Sequence, residues 1–401
     1  MSSFINPFRP GAGHRPPYLA GRTEEKREFE RLLDQDVVLS NLVLTGLRGI
    51  GKTVLQEELR PIAIDRGWLW AEQDLSESTS VDEATLATRL ITDLAVVLSG
   101  IQIAHARRPL GFGDRAPAFA NLDYNTLVSI YDTTPGLVID KLRRVLEAAW
   151  DTIQSLDPPV RGIVFAYDEA QNLADHAQEK QYPLSLLLDL FQSIQRKGMR
   201  FMLALTGLPT LFPKLVDART FAQRMFHVVF LGRLNRADAR EAIERPIEDR
   251  RCPIRLDDAS IERILEMADG YPYFLQFICR EVYDQFLVNF RRTGTYGAVP
   301  ETEITRKLDT DFFAGRWNRV TDRQRDLLHV IASLPSHEEE FTIQETVEAS
   351  KQRVKGKPFT ASHANQMLST LASAGLVYKN RHGRYSFAVP RFGRFVLRQF
   401  S

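Results

Sequence analysis

The chain runs to 401 residues, a length that suggests two or three domains rather than one. Its 52 Lys and Arg meet 51 Asp and Glu for a formal net charge of +1, which excludes a basic coat for nucleic acid and an acidic solvating tail. Apolar residues at 44% allow a sizeable core, and 2 cysteines without Cys-x-x-Cys or clustered-His spacing exclude a disulfide framework and a structural zinc site.

Cys252 and Cys279 therefore read as thiols of a reducing compartment. The N-terminus, MSSFINPFRPGAGHRPP, has no apolar core of signal-peptide length. No later run approaches the roughly 18 apolar residues of a membrane span. The expectation is a soluble, cytoplasmic protein without a membrane partner. Charge becomes informative by segment: from Asn318 to Ser401 there are 13 Lys and Arg against 7 Asp and Glu, whereas the first 317 residues carry 39 against 44. That step predicts a separate C-terminal module with its own partner.

In chain order, residues 1–20 read as an extended arm, broken by Pro7, Pro10, Gly11, Gly13, Pro16 and Pro17. A helix follows, with Thr23 as N-cap, Glu24 and Glu25 at its positive end and an apolar stripe of Phe29, Leu32 and Leu33. Asn41–Thr45 is a short apolar strand. It ends in Gly46-Leu47-Arg48-Gly49-Ile50-Gly51-Lys52-Thr53, which matches G-x-x-x-x-G-K-S/T without deviation.

The spacing follows from the chemistry. The glycines let successive backbone N–H groups from Gly46 to Val54 curl around phosphate oxygens, and the helix beginning near Lys52 aims its positive end at the same charge. Lys52 reaches the β- and γ-phosphates, and the Thr53 hydroxyl is a Mg²⁺ ligand. Downstream, Gly162–Tyr167 is a continuous apolar run, as in a buried parallel strand, and it ends in Asp168-Glu169-Ala170. Asp168 is the second candidate Mg²⁺ ligand and Glu169 the base for an attacking water, which points to ATP hydrolysis. The alternative is an acidic pair that caps the next helix.

A strand over Arg200–Leu205 ends at Thr206-Gly207. Thr206 is either a sensor of the γ-phosphate or lytic water, or a turn residue satisfying backbone. A further strand, His227–Leu231, is preceded by Arg219 and Arg224, the candidates for a cation that reaches a neighbouring subunit's phosphate. For Arg224 the alternative is a solvated helix-end side chain. Between residues 103 and 132 no chemistry is legible; the next helix is predicted with Thr134 at its cap and Pro135 in its first turn.

Asn235, an N-cap, opens a helical stretch over residues 235–293, in which Gly270-Tyr271-Pro272-Tyr273 starts a helix carrying Phe274, Phe277 and Ile278. Residues 294–317 read as a linker and bridging helix. The last module, 318–401, opens with the capping box Thr321-x-x-Gln324 and an apolar face of Leu327, Leu328 and Ile331. A second helix follows Phe341-Thr342. A third runs from Thr360 to Ser373 with Ala364, Met367, Leu368 and Leu371 inward, and Gly375 ends it. Two strands around Asn380-Arg381-His382-Gly383 complete a winged helix.

Such a module puts its third helix in the DNA major groove and its wing on the backbone. The wing carries Lys379, Arg381 and Arg384, and Lys351, Arg353, Lys355 and Lys357 precede the third helix. The outward face of that helix holds Asn365 and Gln366 but no Lys or Arg, so double-stranded DNA is a candidate partner without strong sequence preference. The alternative is a winged helix used for protein contacts.

This order of parts, from Leu19-Ala20-Gly21-Arg22 through the two phosphate motifs to the helical lid and winged helix, resembles the AAA+ and STAND branch of P-loop ATPases. Within it the chain is most similar to origin-recognition and initiator-type ATPases. The resemblance spans essentially the whole chain, but only the two Walker elements at Gly46–Thr53 and Asp168-Glu169 are highly specific.

It implies an α/β fold: a P-loop parallel sheet flanked by helices over 21–234, an all-α lid over 235–293 and a C-terminal winged helix-turn-helix domain. It also implies Arg22 beside the adenine and Pro272 near the base. Many AAA+ proteins place an arginine in the first turn of the lid helix that begins here at Tyr271-Pro272-Tyr273; its absence favours a nucleotide-controlled switch over a motor. The expected function is a Mg²⁺-dependent ATPase whose ATP or ADP state controls DNA engagement or homo-oligomeric assembly. The alternative is a signalling switch in which nucleotide exchange governs assembly with an unidentified protein partner.

Overall fold

The computed structural model describes residues 5–11, 13–106, 122–249, 252–336, 338–353, 357–381 and 383–400. The uncharacterised stretch noted in the sequence falls largely on 107–121, outside the described residues. The chain divides into a sheet unit, Arg22–Thr45 with Lys52–Phe230, and a second, helix-rich unit, Met1–Gly21 with Gly46–Gly51 and Leu231–Ser401.

In the sheet unit the order is α1 (Thr23–Leu33), β1 (Asn41–Thr45), α2 (Lys52–Asp65), β2 (Trp68–Asp74), α3 (Glu83–Ala106), α4 (Tyr124–Thr133) and α5 (Val138–Gln154). Then come β3 (Gly162–Asp168), α6 (Pro183–Gln195), β4 (Phe201–Gly207), α7 (Leu211–Ala218), α8 (Ala222–Met225) and β5 (Phe226–Phe230). The five strands are parallel in the order β2-β3-β4-β1-β5. Helices cover both faces, so β1, β3 and β4 are buried along their whole lengths and read as unbroken apolar runs.

Phe165 sits at the core's centre, its ring edge-on to Phe191 (5.3 Å) and Phe201 (6.1 Å). The buried Asn41 amide is satisfied by Gln195, Met225 O and the Leu203 N–H, which fixes the start of β1 against β4 and β5. This order puts β4 between the strand that leads into the glycine-rich loop and the strand that ends in Asp168. Ligands of open α/β sheets bind at such carboxyl ends.

Two helix starts differ from expectation. Thr23 lies inside α1, because Arg22 in the left-handed region (φ 68°) takes the cap position and no side chain caps the helix. Thr134 ends α4, its hydroxyl donating to Ile130 O at 2.6 Å. Gly136 (φ 112°) then breaks the chain, so α5 begins at Val138, with the Asp140 carboxylate accepting from Leu137 N–H.

The second unit holds α9 (Arg236–Asp249), α10 (Asp258–Ala268), α11 (Pro272–Thr293) and α12 (Glu301–Leu308), then a π-helical turn over Asp309–Ala314 and α13 (Gly315–Trp317). Asn235 caps α9 by accepting from Asp238 N–H at 2.9 Å, as expected. The arm is irregular but not loose: Phe8 is fully buried against Tyr283, and Asn6 donates to Arg280 O and Asp284.

Next come α14 (Asp322–Ala332), β6 (Phe341–Thr342), α15 (Ile343–Arg353), α16 (Ala361–Ser373), β7 (Val377–Arg381), β8 (Arg384–Phe387) and α17 (Phe392–Gln399). The three short strands form an antiparallel sheet, β6-β8-β7. Thr321 and Gln324 make the capping box of α14, and Thr360 caps α16. Ala364, Met367, Leu368 and Leu371 all point inward. The winged-helix fold is present, with α17 as a closing element that the sequence reading left out. Among the described residues no helix is long and apolar enough to cross a membrane.

Candidate functional site

The glycine-rich loop leaves β1 and enters α2. Its first part, Gly46–Gly51, belongs to the helix-rich unit. Gly49 (φ 75°) and Gly51 (φ 92°) occupy backbone conformations that side chains rarely adopt. A Cβ on Gly49 would also lie 2.9 Å from Tyr273 Cβ, and the Gly49 carbonyl accepts from Tyr273 N–H at 3.1 Å. Pro272 is the first residue of α11, where a missing N–H costs nothing, and Tyr273 spends one of that helix's unpaired amides on the loop. Leu47 lines a small pocket with Arg233, Tyr271, Phe387 and Arg391 of the same unit.

Lys52 and Thr53 open α2, whose own first turn holds no acidic residue. The Thr53 hydroxyl donates to Asp168 Oδ2 at 2.5 Å, and Asp168 Oδ1 accepts from Glu169 N–H at 2.7 Å. Asp168 is only 3% exposed. Burial raises its carboxyl pKa above the ordinary range, the hydrogen bonds from Thr53 and Glu169 N–H pull it down, and the charges of Glu169 and Lys52 act in opposite senses. A buried carboxylate bonded to a threonine hydroxyl is a donor set that suits a hard cation such as Mg²⁺. Among the described residues no group of three or more His, Cys, Asp and Glu could hold a metal.

Glu169 adopts φ 51°, which turns its side chain out of the strand into an exposed position. Gln171 donates to its carboxylate. Thr206, at the end of β4, is fully buried, and its hydroxyl has no hydrogen-bond partner among the described residues. A buried hydroxyl left unpaired is costly, and the Thr45 hydroxyl at the end of β1 is in the same position.

The two arginine candidates separate. Arg219 is held by a bidentate pair with Asp189 at 2.7 and 2.9 Å. Arg224 is exposed, and its guanidinium has no hydrogen bond or ion pair among the described residues. Arg22 pairs with Glu25 at 3.1 Å.

On the winged helix Gln366 and Lys379 are exposed. Arg384 lies 4.0 Å from Glu340, and Asn365 accepts from Tyr385 OH at 3.2 Å. Arg381 ends β7, and its side chain, like Lys355 and His382, lies outside the described part.

Sequence reasoning missed Gln171 and Tyr273. Nothing in their residue types marks them, because one acts through an amide two positions beyond Glu169 and the other through its backbone.

Residues 310–396 match the model of a family described as a domain of unknown function, DUF8462. No curated protein matches the sequence. Among solved structures, the Walker-type ATPase of Pyrococcus abyssi is 18% identical with a TM-score of 0.59, covering 95% of this chain and 97% of that one. The ORC2 protein of Aeropyrum pernix, solved with ADPNP and ADP, is 14% identical with a TM-score of 0.51, covering 97% and 95%. Along essentially its whole length, the chain is similar in fold to these two proteins.

Proposed function

We propose that the chain is a Mg²⁺-dependent ATPase whose nucleotide state controls engagement of double-stranded DNA, or assembly into homo-oligomers, through the winged helix. The observation that carries this reading is the Thr53–Asp168 hydrogen bond at 2.5 Å, which joins the first turn after a complete P-loop to an acidic strand end followed by Glu169. Loop amides and Lys52 bind the β- and γ-phosphates, with Arg22 and Pro272 toward the base. Thr53 and Asp168 would hold Mg²⁺, which supplies charge neutralisation on the phosphates when bound. Glu169 takes the proton of the attacking water, Thr206 senses the γ-phosphate, and Arg224 acts on a neighbouring subunit's nucleotide. Lys379, Arg381 and Arg384 contact DNA phosphates, with Asn365 and Gln366 facing the groove.

The domain plan is an arm over 1–20, an ATPase core over 21–234, a lid over 235–293, a linker over 294–317 and a winged helix over 318–401. A second reading, a switch that assembles with protein partners and never meets DNA, draws support from the occupied Asn365 side chain and the absence of Lys and Arg from the described outward face of α16.

The test is steady-state ATP hydrolysis with Mg²⁺, paired with nucleotide binding. Lys52→Ala should weaken ATP binding at least about a hundredfold, because it removes the loop's long cation. Glu169→Gln should keep binding and lose about 10²–10⁴ in turnover. Turnover near wild type in both variants overturns the assignment. Salt-dependent duplex binding separates the two readings.

A further inference from the structure

The short turn after β3 is held on three sides. Asn172 Nδ2 donates to Leu75 O at 2.8 Å, just past β2, and Lys214 Nζ on α7 donates to the Gln171 carbonyl at 2.7 Å. The third tie is the Gln171 side chain. Its Nε2 donates to the Glu169 carboxylate, while its Oε1 accepts from Leu208 N–H at 3.0 Å, just past β4.

That bridge exists because Gly207 has no side chain: a Cβ there would lie 2.6 Å from Gln171 Oε1. A primary amide offers a donor and an acceptor at fixed directions, so it orients both groups it joins. Leucine supplies neither, and glutamate would set a like charge against Glu169.

We infer that Gln171 is a positioning residue: it aims the Glu169 carboxylate and ties it to the backbone that follows Thr206. The group proposed to accept the water's proton and the hydroxyl proposed to face the γ-phosphate then shift together. The inference rests on the ATPase reading, within which it identifies how the site's two sides are coupled.

The test compares the full-length protein with Gln171→Leu, Gly207→Ala and the double variant. It reads kcat and KM for ATP, the Kd for a fluorescent non-hydrolysable ATP analogue, and melting. Gln171→Leu should lower kcat about tenfold or more, with KM and Kd within about twofold and melting little changed. Gly207→Ala, which pushes the amide aside and also crowds the buried Leu211, should lower kcat likewise with some loss of melting temperature, and the double variant should be no slower than the slower single one.

An unchanged or raised kcat in Gln171→Leu overturns the inference, as do losses that multiply in the double variant. A wild-type protein that binds MgATP without turning it over overturns the ATPase reading itself.

Discussion

The end of β3 and the wing formed by β7 and β8 both gather charged residues, and they are built in opposite ways. At the strand end each carboxylate is aimed: Asp168 by Thr53 and the Glu169 N–H, Glu169 by Gln171 and a strained backbone. On the wing Lys379 is exposed, and Arg384 lies 4.0 Å from the Glu340 carboxylate, its one ion pair among the described residues. Proton transfer requires direction, since a base misplaced by an ångström loses much of its effect. Phosphate binding requires proximity, and a flexible cation supplies it.

Arg224 is the residue that strains this contrast, because it is exposed and unpaired like the wing yet belongs to the sheet unit. If it reaches a neighbouring subunit's nucleotide, Arg224→Ala should cost about 10³ in turnover. Excess Glu169→Gln protein, which offers an intact Arg224 but cannot hydrolyse, should restore it. Arg219→Ala, which breaks a structural pair, should not respond to mixing.

Thr206→Val removes the orphaned hydroxyl. Turnover should fall by about a hundredfold while the melting temperature holds or rises, since no internal hydrogen bond is lost.

Asp168 gives a smaller effect, read in the pH dependence of stability. Its folded pKa lies above the unfolded value, so the native state holds its proton longer and the protein loses stability as pH rises through that raised pKa. Without nucleotide, Asp168→Asn should melt higher than wild type at pH 8, by about 2–4 °C per kcal/mol recovered, and should flatten the decline with pH.

The smallest effect belongs to the wing. Replacing Lys379 and Arg384 with Ala should lower the magnitude of the log K against log salt slope by about two units, on any duplex. A change confined to one sequence would break the contrast.

The sheet and the winged helix were legible because their signals are local: continuous apolar strands, the Gly46–Thr53 spacing, and the capping box at Thr321. Thr23 and Thr134 misled because their residue type suits a cap, while the turns were decided by backbone that sequence does not mark, left-handed at Arg22 and positive-φ at Gly136. α17 was overlooked for a like reason, since its N-cap is Arg391 at φ 60° in place of a Ser, Thr, Asp or Asn. Within the candidate site, Lys52, Thr53, Asp168 and Glu169 carry their chemistry in their side chains and could be read. Gln171 depends on the gap at Gly207, and such a gap exists only in three dimensions.

The amide of Tyr273 bonded to Gly49 makes α11 a lever. The helix has 22 residues, hence a length of about 33 Å. Its N-terminal end is bonded to loop backbone, so there is no side chain to rotate out of the way. A tilt of about five degrees there displaces the far end by about 3 Å, the width of a water molecule. Were the loop to rearrange around a bound phosphate, that single backbone bond would pass the change to the start of α11.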